Sequence, residues 1–343
     1  MADEFYEKAF SRWQSLAKPL GGLGLFEEYV CKIASVQKTE TPDISRRVLA
    51  VFCADNGIVE EGVSQTDSSV TRIVAENLSR GETSVCKMAA LAKCEIIGVD
   101  CGIIRKNSSQ KSPSGFYDFF IANGTENFLK YDAMSRCDCE LAIQNGINLS
   151  LSLKEKGYNL FATGEMGIGN TTTSSAVLAS ILDIPPEKVT GRGAGLSDAA
   201  FLHKIDVIRS GIAERKPEKK DVVDVLSKVG GFDIATMCGF FLGAQKACVP
   251  CIVDGFISGV AALCACRICP DVRSVLLASH LSGELAGKIV LDALGLTPVI
   301  TAGMHLGEGT GCMTLIPLLD MALEVFFKMP TFRDIKIKAY EPF

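Results

Sequence analysis

Apolar residues cluster in short runs that each end in a glycine or an acid. The runs are VLAVFCADNG (Val48–Gly57), EIIGVDCG (Glu95–Gly102), NLFATGEMG (Asn159–Gly167), CIVDG (Cys251–Gly255), SVLLASH (Ser274–His280) and TPVITAG (Thr297–Gly303). Their apolar stretches are continuous and do not alternate with polar residues. That pattern belongs to strands buried on both faces, as in a parallel sheet. Helix-length segments such as SSVTRIVAENLSRG and SDAAFLHKIDVIRSGIAE lie between them. Alternating β and α elements predict a layered α/β fold. In such sheets ligands bind beyond the carboxyl ends of the strands. Those ends carry Asp55, Asp100, Glu165, Asp254 and His280, with Glu308 soon after the last run. Solvation alone is a poor explanation for so many acids at one rim.

Outside this pattern, the first 40 residues and the last 35 or so read as helical. Residues 1–40 and 310–343 would form a small helical domain, flanking a large domain over 41–309. RKNSSQKSPSG (Arg105–Gly115) reads as a surface loop. No internal repeat is evident.

Composition narrows the function. The chain has 343 residues and a net charge of −5, which argues against a nucleic-acid footprint, since that needs a basic face. No run reaches the roughly 18–20 uninterrupted apolar residues of a spanning helix, and MADEFYEKAF is unlike a signal peptide. The expectation is a soluble cytoplasmic protein with no membrane partner. The 14 cysteines include two knuckle-like pairs, Cys248/Cys251 and Cys266/Cys269. Both sit in apolar strand or helix contexts without a knuckle turn, so core thiols are expected and no metal.

The stretch GEMGIGNTTTSS (Gly164–Ser175) follows a strand and opens a helix. Such a glycine-rich turn presents backbone N–H groups to an anion. Gly167 and Gly169 permit close approach, and Asn170 to Thr173 could donate to phosphate oxygens. The alternative is a plain strand-to-helix turn. No lysine follows the last glycine, so it is not a Walker loop, and its glycine spacing is not that of a dinucleotide fingerprint. TGRGAGLSD (Thr190–Asp198) is a second anion candidate, though a helix-linking turn with a solvated Arg192 is the simpler reading. HLGEGTG (His305–Gly311) sets Glu308 between two glycines, as for an exposed general base. His280 and Ser282 lack a nucleophile elbow, so His280 is expected to be a satisfied core residue.

Together these stretches resemble the nicotinate-nucleotide–dimethylbenzimidazole phosphoribosyltransferase family. The matching segments are KPLGGLGLFEE, ADNGIVEEGVS, GEMGIGNTT, TGRGAGLSD, VGGFDIATMCGFFLGA, VDGFISG, SHLSGE and HLGEGTG. They occur in family order and cover nearly the whole chain. The resemblance implies a Rossmann-like sheet, a small helical domain from both chain ends and a homodimer. It implies that nicotinate mononucleotide donates its phosphoribosyl group to a free aromatic base, with inversion and without cofactor or metal. Glu308 inherits the general-base role, with Glu165 as the second candidate. Gly164, Gly167, Gly169, Asn170 and Thr171 would help hold the nucleotide. Lys204, Ser282 and Gly307 would lie near its phosphate, with Leu306 and Gly309 beside them. Asp254 is assigned to the ribose side or to a supporting position behind it. A mononucleotide hydrolase and a non-catalytic base or nucleotide binder are the alternatives. Three departures stand out: DNG (Asp55–Gly57) where the family reads DHG, SQTDSSVT (Ser64–Thr71) where it carries an aromatic-Pro-Gln stretch, and Gly22 for a usual Ser. The second puts the identity of the acceptor base in question.

Overall fold

The computed structural model describes residues 3–193 and 195–340. Its centre is a six-stranded, wholly parallel sheet. The strands are β1 (Arg47–Ala54), β2 (Glu95–Gly102), β3 (Tyr117–Asp118), β4 (Leu160–Met166), β5 (Cys251–Val253) and β6 (Leu276–Ala278), in the order β3-β2-β1-β4-β5-β6. This is the doubly wound order of Rossmann folds, with its switch point between β1 and β4.

Every residue of β1 is buried, because helices cover both faces. Val48, Ala50 and Phe52 point into one apolar layer, where Phe52 and Phe161 meet Phe240 at ring separations of 5.4 and 5.2 Å. Leu49, Val51 and Cys53 point into the other, shared with Trp13 and Phe326. Both chain ends build that second layer. Trp13 packs edge-on against Phe326 at 5.0 Å, Arg12 Nε donates to the Phe326 carbonyl at 2.7 Å, and Leu16 bridges to Thr331.

Three elements differ from the sequence expectation. TPVITAG is not a strand: among the described residues only Ile300 pairs there, through one bridge to His280. Pro298 supplies no N–H to a ladder, which leaves the run as a buttressed loop. The short edge strand β3 emerges just after the expected surface loop, where polar sequence gives no periodic signal. Helix Thr310–Lys328 is long and apolar enough to cross a membrane by length and composition, although 56% of its apolar window is buried in this fold. Its inner face, from Cys312 through Leu319 to Phe326, is part of the second core layer.

Candidate active site

A cavity opens beyond the carboxyl ends of β4, β5 and β6, the side of the sheet that the switch point selects. Its floor is the turn after β4. Gly169 (φ 91°) is the N-cap of helix Asn170–Leu182, in a left-handed conformation that favours glycine. Glu165, Gly167, Gly169, Asn170 and Thr171 line the floor, and Asp254 and Ser282 line the wall beyond β5 and β6. Leu306, Gly307 and Glu308 form its lip, with Gly307 packed against Glu165. Most of the residues singled out in the sequence therefore meet at one place.

Three others stand just behind it. Gly164 lies within β4, where a Cβ would sit 2.3 Å from the Glu308 carbonyl oxygen. Its bare α-carbon is what lets the Glu308 turn pack onto the strand. Gly309 donates its N–H to Asp254 Oδ2 at 3.2 Å. Lys204 is 1% exposed and donates to Thr171 Oγ1 at 2.8 Å. Burial pushes its pKa down to about 8.

The acids concentrate on this cavity. Asn170 Nδ2 donates to Glu165 Oε2 and, at 3.1 Å, to Asp233 Oδ2, so one amide joins two carboxylates. Burial raises all three acids: Glu165 to about 8, Asp254 to about 7 and Asp233 to about 6. Glu308 is also raised by burial, while the Thr83 hydroxyl and the Val85 N–H, at the start of helix Ser84–Leu91, favour its charged form. Its Oε2 is buried and has no hydrogen-bond partner among the described residues. Gly307, Glu308 and Gly309 all have positive φ (87°, 60° and 93°), an uncommon conformation for the glutamate.

Some expectations need correction. Of Asn170 to Thr173, only Asn170 and Thr171 line the cavity; Thr172 and Thr173 are fully buried. Thr173 Oγ1 instead donates to the Asn170 carbonyl at 3.0 Å, and Ser175 Oγ to the Thr171 and Val189 carbonyls. The hydroxyl run mostly packs the helix. The rim acids also divide. Asp55 and Asp100 do not line the cavity, and Asp100 is consumed by the Gly102 and Ile103 N–H groups, Ser112 Oγ and Arg105. Arg192 is occupied by the Leu196 carbonyl and Asp198, and stacks on Phe201, in keeping with its simpler reading. His280 is 3% exposed and bonded to Ser279 Oγ at 3.0 Å, but it also forms part of the cavity wall.

Sequence reasoning passed over Glu284 and His305, which line the cavity, and Asp233, which stands behind it. Asp233 stands at the start of helix Phe232–Ala247, and only the tertiary bond from Asn170 brings it to Glu165. The paired glycines before it, GGFD, were the one available signal. No group of three or more His, Cys, Asp or Glu among the described residues is arranged to hold a metal ion.

Comparison with known proteins agrees over the full architecture. The DBI_PRT family model, described as "Phosphoribosyltransferase", matches residues 1–337. A nicotinate-nucleotide–dimethylbenzimidazole phosphoribosyltransferase from Ruminiclostridium cellulolyticum is 41% identical over 99% of this chain and 95% of its own length. One from Acetivibrio thermocellus is 41% identical over 96% and 93%. The crystal structure of CobT from Thermus thermophilus superposes with a TM-score of 0.92 at 32% identity, covering 98% of this chain and 100% of that one. The chain belongs to the nicotinate-nucleotide–dimethylbenzimidazole phosphoribosyltransferase family.

Proposed function

We propose that this enzyme transfers the phosphoribosyl group of nicotinate mononucleotide to an aromatic nitrogen base, giving an α-linked nucleotide and nicotinate for the lower ligand of a cobamide. The observation that carries this reading is the unpartnered, buried Oε2 of Glu308 on the lip of a cavity ringed by carboxylates. A carboxylate oxygen left without a donor in a folded protein is costly unless a ligand supplies one.

The chemistry follows from charge. In the donor, the ring nitrogen of nicotinate is a pyridinium and already positive. When the C1′–N bond breaks, its electron pair neutralises that nitrogen, so nicotinate leaves without an acid. Positive charge moves onto the ribose, in an oxocarbenium-like transition state. Glu165, Asp233 and Asp254 hold raised pKa values because burial disfavours their charge; a cationic group in the cavity reverses that preference, and the carboxylates stabilise it in turn. The acceptor attacks C1′ through one ring nitrogen from the face opposite nicotinate. The proton on its other nitrogen passes to Glu308, a step typically worth about 10²–10⁴-fold.

The phosphate is assigned to the start of helix Asn170–Leu182, beside Thr171 and Lys204. Burial lowers the Lys204 pKa to about 8, and an arriving anion offsets that cost and favours the charged ammonium. Glu308 is assigned as general base, and Glu165 as the acid beside the ribose. Ser64, in the stretch that departs from the family pattern, lines the cavity, which supports an acceptor range wider than dimethylbenzimidazole. The same proposal includes a cytoplasmic homodimer, and a small domain from residues 1–40 and 310–343 held by the Trp13–Phe326 contact.

The test is an acceptor panel of benzimidazoles, purines and phenols with nicotinate mononucleotide, the nucleotides being identified by mass. Nucleotide formation with more than one acceptor is expected. Nicotinate release at full rate with no acceptor would make the enzyme a hydrolase, and no release under any condition would make it a binder.

A further inference from the structure

Between Gly167 and Gly169, Ile168 is the only residue with a side chain, and it lines the cavity. Both polar groups of its backbone are held by side chains from elsewhere. Its N–H donates to Thr71 Oγ1 at 3.1 Å, and its carbonyl accepts from Asn56 Nδ2 at 3.3 Å. Neither clamp is loose. Asn56 is 1% exposed and Thr71 is fully buried. Asn56 Nδ2 faces the Ile168 carbonyl, and Asn56 Oδ1 lies 3.4 Å from the Thr173 hydroxyl, whose proton goes mainly to the nearer Asn170 carbonyl. The Thr71 hydroxyl in turn faces the Asp55 carboxylate, whose Oδ2 accepts the Ile104 N–H at 2.8 Å. A hydroxyl that donates to Asp55 keeps a lone pair for Ile168.

Neither Asn56 nor Thr71 lines the cavity, so neither can touch a substrate there. Their effect passes through Ile168. Ile168 is one of the apolar side chains of the cavity lining, with Met166, Phe256 and Leu306, the chemistry an aromatic base needs, whereas a phosphate suits Thr171, which Lys204 reaches. Glycines on both sides give Ile168 no local support. Without the two clamps its peptide could rotate, and the branched side chain would swing with it.

We propose that Asn56 and Thr71 are positioning residues for acceptor selectivity, holding Ile168 as a fixed wall of the acceptor half of the cavity. The proposal rests on the transferase reading above. Thr71→Val removes the oxygen that receives the Ile168 N–H and keeps nearly the same shape. The KM for a benzimidazole acceptor should rise about tenfold, the effect expected of one lost buried hydrogen bond. The KM for nicotinate mononucleotide should stay within about twofold. Thr71→Ser, which restores the oxygen, should recover the acceptor KM.

A purely structural role would act differently. It would lower the melting temperature and the active fraction while leaving both KM values alone, and that result overturns the proposal, as does an equal rise in both. Should Thr71→Val fail to fold, Ile168→Ala carries the test. It leaves both clamps in place and should raise the acceptor KM with the donor KM unchanged; an unchanged acceptor KM refutes the idea. Absence of nucleotide product from the unmodified enzyme with any acceptor would instead sink the transferase reading, so the two failures are distinguishable.

Discussion

Gly164→Ala adds one methyl group to the middle of β4, touches no substrate and removes no functional group. Its Cβ would nevertheless lie 2.3 Å from the Glu308 carbonyl oxygen, 2.5 Å from its carbonyl carbon and 2.7 Å from the Gly309 nitrogen. Ordinary contact needs about 3.5 Å, so one partner has to withdraw by about 1 Å. The methyl is anchored to a central strand paired on both sides, with β1 on one and β5 on the other. The Glu308 turn is the softer partner. Overpacking of this kind costs about 1–3 kcal/mol of stability, which a chain of this size tolerates. The catalytic cost should be larger, because a displacement near 1 Å of a reacting group is worth about 10²-fold. The assay is steady-state turnover with nicotinate mononucleotide and a benzimidazole, alongside circular dichroism and a melting curve. We expect kcat about 10²-fold lower with little change in the donor KM. Combined with Glu308→Gln, Gly164→Ala should add almost nothing, since both act through one carboxylate. A folded Gly164→Ala enzyme with near-normal kcat, or losses that multiply in the double variant, would refute the reasoning.

Glu308→Gln itself should lower turnover by about 10²-fold or more while nucleotide binding, measured by calorimetry, is kept. The raised pKa of Glu308 adds a pH signature: kcat/KM should climb with pH above the usual glutamate range, and Glu308→Gln should flatten that limb. Stability should show the opposite slope. Folded Glu165, Asp233 and Asp254 hold their protons to about 8, 6 and 7, whereas the unfolded chain loses them near 4, so stability is full below about pH 4 from these groups and falls as pH rises to 8. Melting curves between pH 5 and 8 check this, and a midpoint that rises over that range contradicts it. Purified protein should carry no stoichiometric zinc by elemental analysis and should not unfold on chelation, since Cys251 is buried in β5 and Cys266 in an apolar helix.

The strands that cross the middle of the sheet were legible because burial on both faces demands an unbroken apolar run, and β1, β2 and β4 carry one. TPVITAG has the same composition but lies beyond the end of β6, and Pro298 withholds the N–H that pairing needs. β3 is two residues long and polar, so no periodicity could announce it. The site was legible where glycines flank an acid, as at Glu165 and Glu308, since a backbone built for close approach leaves a mark in sequence. Thr172 and Thr173 misled for a related reason. A hydroxyl in a buried helix and a hydroxyl on a phosphate look alike until the helix's orientation is known. Lys204 carries no local mark, and Asp233 only the paired glycines before it. What brings them behind the cavity, against Thr171 and Asn170, is the packing of helices Asp198–Arg215 and Phe232–Ala247, which is a tertiary fact.

Asp254 illustrates how the fold holds its proposed base, Glu308, with another acid. Its Oδ1 accepts the N–H groups of Gly311 at 2.7 Å and Cys312 at 3.2 Å, and its Oδ2 accepts that of Gly309 at 3.2 Å. These are free donors at the start of helix Thr310–Lys328, so one carboxylate caps that helix and pins the turn that carries Glu308. The pinning matters because a left-handed non-glycine residue costs about 1–3 kcal/mol and persists only when its surroundings determine it. Gly164 gives the turn room on the strand side, Gly307 and Gly309 supply the flanking positive φ values, and Asp254 anchors its far end. With both oxygens engaged by backbone donors, Asp254 has little capacity left for a ribose hydroxyl. Those backbone bonds suit the supporting one of the two roles expected of Asp254, and Glu165, proposed above as the ribose-side acid, is held by Asn170 from one side.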